Sequence, residues 1–348
     1  MKKIISVIGA RPQFIKHAPM QIQLQKHFNA LTIHTGQHYD PGMSDVFFNE
    51  LKIPAPDYRF HLNGKLHGQQ TAEMMTEIEQ IAVKEKPDGL LVYGDTNSTL
   101  AGALVASKLH IPIIHIEAGL RSFNREMPEE VNRVLTDHIS ELLFCPSNAA
   151  VENLKAEGIE RNVHLCGDVM KDMLSLASGY LGDKMEGKPY YFATIHRPYN
   201  TDVTERMLVI LESLNALNAP VVFAIHPRTV SRLSDYKVDL AAYKNIIAIP
   251  PVGYFDSLSY QAYSLGVITD SGGVQKEAYW LKKRCITIRK ETEWLETLTG
   301  NWNQLVFDDV ASIREKLDMS LSDYNEELYG TVDNSATIVS LLNDKFYK

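Results

Sequence analysis

Short apolar runs alternate with segments of helical periodicity along almost the whole chain, and this alternation limits the fold more than any other feature. KIISVI is followed by FIKHAPMQIQLQKH and LTIHTG; further on come GLLVYG, STLAGALVASKLH, IPIIHIE, EEVNRVLTDHIS and LLFCPS. Runs that are apolar throughout, rather than at every second residue, belong to strands covered on both faces. With a helix between successive runs, the strands are expected to lie parallel, and the fold class is α/β. The rhythm restarts after residue 188 with YYFATIH, DVTERMLVILESLNAL, PVVFAIH, NIIAIPPV, GVITDSGG, VQKEAYWLKK and CITIRKE, which predicts a second α/β domain. Between the halves, SLASGYLGDKMEGKP at residues 175–189 is rich in small and charged residues and reads as a hinge.

A chain of 348 residues with 45 % apolar composition can bury two such cores. The formal net charge of −8 comes from interspersed residues of both signs, so neither a nucleic-acid surface nor a membrane-binding patch is expected. Local basic sites still allow an anionic small molecule. Cys145, Cys166 and Cys285 sit in apolar runs without CxxC spacing, so they are expected to be reduced core residues rather than disulfides or zinc ligands. The opening MKKIISVIGARPQF has a basic pair before an apolar run of only about five residues, too short for a signal-peptide core. No run approaches the ~20 residues of a membrane helix. A cytoplasmic protein is the simplest expectation.

In open α/β sheets ligands bind beyond the carboxyl ends of the strands, so polar residues that end apolar runs are the candidates for chemistry. Asp95, Glu117, His196, His226 and Asp270 all do so. Any one of them can be a solvated strand end, and Asp95, before Thr-Asn-Ser-Thr, can be a helix cap; five in one chain shift the balance toward a site. TDSGGVQKEA places Ser271, Gly272 and Gly273 between a strand and a helix, where free N–H groups and small residues suit a phosphate, although a tight turn would use the same residues. Glu277, one turn in, suits ribose hydroxyls. GARPQFIK supplies another glycine turn with Arg11 and Lys16 to meet phosphate oxygens. There is no GxGxxG after a predicted strand, no P-loop lysine motif, no DxD pair, and no HExxH or HxH spacing. Neither a dinucleotide cofactor nor a metal is expected.

The ordered set GARPQFIKHAP, TGQHYD, YGDTNSTLAGALVASK, HIEAGLRSFNREMPEEVNRVLTDH, TIHRPYN, HPRT and TDSGGVQKEA resembles the non-hydrolysing UDP-N-acetylglucosamine 2-epimerases of bacteria and archaea, over nearly the whole chain. The resemblance implies a glycosyltransferase-B-like fold, two Rossmann-like domains facing a deep cleft. They are expected at residues 1–172 and 173–334, with the helix at 335–348 packing back on the first. It further implies a UDP-sugar substrate, no cofactor, no metal and a homodimer.

The family reaction explains the acidic strand ends. The C2 proton of an N-acetylhexosamine is not adjacent to a carbonyl, so an enzyme without NAD couples its loss to departure of UDP from C1. The product is 2-acetamidoglucal, and UDP adds back as C2 is protonated on the opposite face, which demands acid/base groups on both faces. The resemblance places Asp95, Glu117, Glu129 and His196 in those roles. It assigns Arg11, Lys16 and Ser271–Gly273 to the leaving diphosphate, with His226 nearby and Glu277 on the ribose. Phe255, in IPPVGYF, falls in the uracil-binding stretch, and Arg133 is expected to orient the sugar or the diphosphate.

Departures from the family pattern bear on the substrate. The loop SFNREMPEE is short, as in the archaeal and polysaccharide-cluster branch, which includes enzymes of modified sugars. Many members read Thr-Glu-Arg-Pro-Glu where this chain reads Thr292-Glu293-Trp294-Leu295-Glu296. The arginine with which some members bind a second, activating substrate molecule aligns near Gly68; Gln37, His38 and Gln69 persist, but activation is not expected without it. The leading expectation is epimerisation of UDP-N-acetylglucosamine for cell-surface polysaccharide. The alternatives are the same reaction on an oxidised, deoxygenated or acetamidated UDP-hexosamine, and sugar transfer or UDP-sugar hydrolysis on the same scaffold.

Overall fold

The structure is a computed structural model that describes residues 1–37, 48, 50, 51, 53–62, 65–331 and 333–348. The chain forms two compact units, Met1–Leu176 with Glu327–Lys348, and Ala177–Glu326.

In the first unit β1 (Lys3–Ile8), α1 (Arg11–His27), β2 (Asn29–His34), β3 (Tyr58–Arg59), α2 (His67–Glu85), β4 (Gly89–Tyr93), α3 (Asn97–Lys108), β5 (Ile113–Ile116), α4 (Pro128–Ile139), β6 (Leu142–Cys145), α5 (Asn148–Ala156), β7 (Val163–Leu165) and α6 (Val169–Ala177) follow in order. The strands form one parallel sheet, β3-β2-β1-β4-β5-β6-β7. Strands β4 and β5 are buried along their whole length, because helices cover both faces of a parallel sheet.

The second unit contains β8 (Tyr191–Thr194), α7 (Pro198–Thr201), α8 (Thr204–Asn215), β9 (Val221–Ala224), α9 (Pro227–Asp235), β10 (Ile246–Ile249), α10 (Tyr254–Tyr263), β11 (Val267–Thr269), α11 (Gly272–Trp280), β12 (Cys285–Thr287), β13 (Asn303–Leu305) and α12 (Ile313–Asp318). Its parallel sheet runs β10-β9-β8-β11-β12-β13. Tyr191, Ala193, Val221 and Phe223 pack with Met207, Ile210 and Leu214 of α8 on one face. Phe192 and Val222 point to the other face, as strand alternation requires.

The last helix, α13 (Asn334–Tyr347), lies on the first unit. Phe346 meets Phe28 edge-on at 6.2 Å, and the Tyr347 hydroxyl accepts from Lys2 N at 2.8 Å. Asp172 accepts from the backbone N–H groups of Asn334 (3.1 Å) and Ser335 (2.7 Å), satisfying donors that the start of a helix leaves open. Burial pushes that carboxyl up to about 6. Among the described residues no helix is long and apolar enough to cross a membrane.

Both sheets reverse their order beside the first strand of their unit, at β1/β4 and at β8/β11. Connections leave in opposite directions at such a point, opening a crevice beyond the strand ends. In each unit the residues that follow these strands are therefore the ones at the mouth of its own crevice.

Candidate active site

At the first switch point β1 leads into Gly9-Ala10 and β4 into Gly94-Asp95. Gly9 has no room for a side chain, since a Cβ there would run into the hydroxyls of Thr35 and Ser98. Gln13, in the first turn of α1, ties the two exits together. Its Oε1 accepts from Gly9 N (2.7 Å) and Ala10 N (3.1 Å), and its Nε2 donates to Tyr93 O (2.9 Å) and Thr99 Oγ1 (3.0 Å). One turn on, His17 is buried with Nδ1 at 2.9 Å from the Tyr93 hydroxyl and Nε2 at 3.0 Å from Thr32 Oγ1. Burial pushes the imidazole down to about 3, so it is neutral.

Lys16 comes off the same helix and forms an ion pair with Glu117; both side chains are less than a tenth exposed, at 7 % and 8 %. Glu117 follows β5 in the left-handed region, at φ +69°, where residues other than glycine are uncommon and strain collects at functional sites. Its carboxylate lies against the backbone of Gly94: a Cβ on that glycine would stand 2.9 Å from Glu117 Oε2 and 3.5 Å from Lys16 Nζ. Glu117 thus reaches the residue next to Asp95. Lys16, expected at the diphosphate, is here paired with the Glu117 carboxylate.

Asp95 is held by helix α4. Its Oδ2 pairs with Arg133 and its carbonyl accepts from Asn132 Nδ2 at 2.9 Å, while the side chain stays 30 % exposed. Arg133 also donates to Glu130 Oε2 at 2.9 Å. Glu130 is buried and holds the preceding loop, accepting from Ser122 N (2.9 Å), Ser122 Oγ (3.0 Å) and Phe123 N (3.0 Å). Glu129 is only partly buried and makes no hydrogen bond or ion pair with a described residue. Successive helical residues are rotated by about 100°, so two adjacent glutamates take opposite jobs, one bracing the loop and one open to a ligand.

A buried polar chain supports these strand ends. His115, in β5, has Nε2 at 2.8 Å from Gly94 O and Nδ1 at 2.7 Å from Asp137 Oδ1. Asp137 Oδ2 accepts from Gly119 N (3.1 Å) and Arg121 Nη1 (2.7 Å). The backbone on either side of Glu117 and before Asp95 is pinned by one carboxylate on α4.

At the second switch point Asp270 is fully buried and gathers the residues after β8. It accepts from His196 N (3.1 and 3.0 Å), Arg197 N (2.9 Å) and Asn200 Nδ2 (3.0 Å), and its Oδ1 lies 3.2 Å from His196 Nδ1. That fixes the ring of His196, which is 30 % exposed and 5.4 Å, centroid to centroid, from His226. His226 caps α9: its Nδ1 accepts from Arg228 N at 3.2 Å, leaving Nε2–H as the donor the neutral ring offers. Asp270, a candidate strand end in the sequence, is therefore a support for histidine.

Ser271 precedes α11, whose first two residues are Gly272 and Gly273 and whose N-terminus carries no side-chain cap; Ser271 N donates to Thr269 Oγ1 at 3.0 Å. Glu277 of the same helix is buried, with Oε2 accepting from Gln261 Nε2 at 2.8 Å. Phe255, at the start of α10, stacks on Tyr180 with centroids 4.7 Å apart and planes 6° from parallel. Arg11 is the first residue of α1, beside the Gly9 turn. The expected catalytic residues thus divide between the units: Asp95, Glu117 and Glu129 in the first, His196 in the second. His38 lies outside the described residues.

Gln13, Asp137 and Arg289 escaped the sequence reading. Gln13 and Asp137 join strand ends and loops that are distant in the chain, while Arg289 sits in no motif and donates to Glu293, four residues on. Trp294, in place of the family's arginine, is buried, with the Lys276 ammonium 3.6 Å from its ring centroid.

Comparison with known proteins shows which family the chain resembles along its length. The family model described as UDP-N-acetylglucosamine 2-epimerase matches residues 20–343. A Methanococcus maripaludis protein named UDP-N-acetylglucosamine 2-epimerase homolog is 46 % identical, covering 98 % of this chain and 99 % of its own. The UDP-2,3-diacetamido-2,3-dideoxy-D-glucuronate 2-epimerase of Pseudomonas aeruginosa is also 46 % identical, with the same coverage. The crystal structure of Methanocaldococcus jannaschii UDP-GlcNAc 2-epimerase in complex with UDP-GlcNAc and UDP matches with a TM-score of 0.89 and 40 % identity, covering 99 % of this chain and 100 % of that one. Motifs, paired α/β units and whole-length similarity converge, and the chain belongs to the UDP-N-acetylglucosamine 2-epimerase family.

Proposed function

We propose that the chain interconverts UDP-N-acetylglucosamine and UDP-N-acetylmannosamine. The observation that carries this reading is the division of chemistry between the two switch points. One gathers carboxylates and a lysine around Asp95 and Glu117; the unit that holds the other offers an open helix N-terminus, two histidines and an aromatic pair. The first set suits proton transfer at a sugar carbon, the second a uridine diphosphate.

In the forward direction the C2–H bond gives up its proton to a carboxylate, its electron pair forms the C1–C2 double bond, and the C1–O bond electrons leave with UDP. The intermediate is 2-acetamidoglucal. UDP then adds back at C1 while a second acid delivers a proton to the other face of C2. Asp95, whose Oδ1 makes no hydrogen bond to a described residue, and Glu129 are the carboxylates a sugar can reach, and Glu117 with Lys16 stands behind Asp95. Arg11, His226 and the Ser271–Gly273 turn receive the charge that develops on the diphosphate, and His196 joins the carboxylates in the acid/base work. Glu277 takes the ribose and Phe255 the uracil; Arg133 orients Asp95 toward the sugar.

Incubation with UDP-N-acetylglucosamine in deuterated water, followed by NMR, tests this. Deuterium at C2 of a mannosamine product supports it, and free sugar with UDP would show hydrolysis instead. A second reading has its own support: identity to the diacetamido-glucuronate epimerase, 46 %, exceeds the 42 % to the UDP-N-acetylglucosamine 2-epimerase of M. jannaschii. On that reading the substrate is a modified UDP-hexosamine, and exchange appears only with the diacetamido uronate. We further place the enzyme in the cytoplasm, where its three free, buried cysteines stay reduced, as a homodimer in cell-surface polysaccharide synthesis. Sedimentation of the purified chain tests the dimer.

A further inference from the structure

Arg289 follows β12 and is 4 % exposed. Its Nη2 donates to Glu293 Oε1 at 3.2 Å, while Nη1 is buried without a hydrogen-bond partner among the described residues. An orphaned guanidinium donor is costly when nothing receives it, so its direction is informative. Nη1 lies 3.7 Å from the point where a Cβ on Gly272 would stand, beside Trp294 Nε1 at 3.6 Å from the same point. Gly272 is the first residue of α11, the helix whose N-terminus is uncapped. A second buried cation, Lys276, lies one turn further along that helix.

We propose that Arg289 is a substrate-binding residue whose Nη1 donates to a phosphate oxygen of the nucleotide seated at the start of α11. The inference rests on the functional reading above and adds to it a charged donor that the motifs do not contain. The backbone N–H groups of a helix start supply partial positive charge, and a guanidinium beside them supplies a full charge and a fixed direction. Glu293 orients the fork through Nη2, so that Nη1 stays turned toward Gly272. Arg289 also favours the leaving group over the intact sugar nucleotide, because the diphosphate gains charge as the C1–O bond breaks.

Titration calorimetry with UDP and with uridine, on wild type and Arg289→Met, tests the proposal. A merely structural role would weaken both ligands alike, whereas loss of a phosphate donor weakens UDP alone. UDP affinity is expected to fall ~10–100-fold, the range of a charge-assisted hydrogen bond, with uridine within about 2-fold of wild type. If Arg289→Met does not fold, R289M/E293Q removes both members of the ion pair and is read by the same ratio. An unchanged UDP-to-uridine ratio in a folded variant overturns the proposal while leaving epimerisation standing. A wild type that neither binds UDP nor exchanges the C2 proton overturns the functional reading, and this inference with it.

Discussion

Lys16 and Glu117 meet as an ion pair out of water, the lysine on the first helix and the glutamate on a left-handed residue at the end of a central strand. Removing one partner leaves the other buried without a counter-charge, which costs about 3–5 kcal/mol. Glu117→Gln and Lys16→Met should each lower stability by that order in urea unfolding. K16M/E117Q should recover much of it and still fail to exchange the C2 proton. Full additivity of the two losses would show that the pair is not coupled.

Asp270 sets the ring of His196 through its backbone and its Nδ1. Asp270→Asn presents an amide to donors that need acceptors, so kcat should drop by about 10–100-fold, the order seen when the residue orienting a working side chain is lost. Uridine binding, which does not use His196, should stay near wild type. An equal loss of both would assign Asp270 to folding alone.

His17 makes stability depend on acid. Its imidazole moves from an ordinary 6.5 to about 3 in the fold, so the neutral form is the folded one. Its contribution is complete above pH 6.5 and is lost as the pH falls toward 3, amounting to roughly 5 kcal/mol from the 3.5-unit shift. Unfolding free energies measured from pH 7 to 4 should fall more steeply in wild type than in His17→Gln. Parallel curves would remove His17 as the cause.

Gly119 has φ +80°, and a Cβ there would strike the carbonyl of Ala150. Gly119→Ala therefore adds left-handed strain to a backbone collision, and a loss of more than about 2 kcal/mol is expected in thermal unfolding. A near-neutral result would mean that the loop after Glu117 can shift freely.

The strands and helices nearest the site were legible because their signals are local. KIISVI, GLLVYG and YYFATIH are strands β1, β4 and β8 to within two residues at each end, and helix α8 falls inside DVTERMLVILESLNAL. The short outer strands VHL and NQL escaped, since three half-polar residues carry no period and become strands only through the neighbour they pair with. The acidic pair at the start of α4 shows the same limit at the site. Glu129 and Glu130 look alike in the chain, and only the packing of that helix on the Ser122–Phe123 loop gives one of them a buried structural task.

Sequence alone determined the α/β class, the strand-end carboxylates and histidines, and the glycine turn before α11, because apolar periodicity and glycine act over a few residues. Tertiary structure decided who holds whom: Lys16 on Glu117, Arg133 on Asp95, Asp270 under His196, and Arg289 beside Gly272. Those choices join residues 17 to 101 positions apart. They are settled by where buried charges and donors can find partners once the sheets have formed.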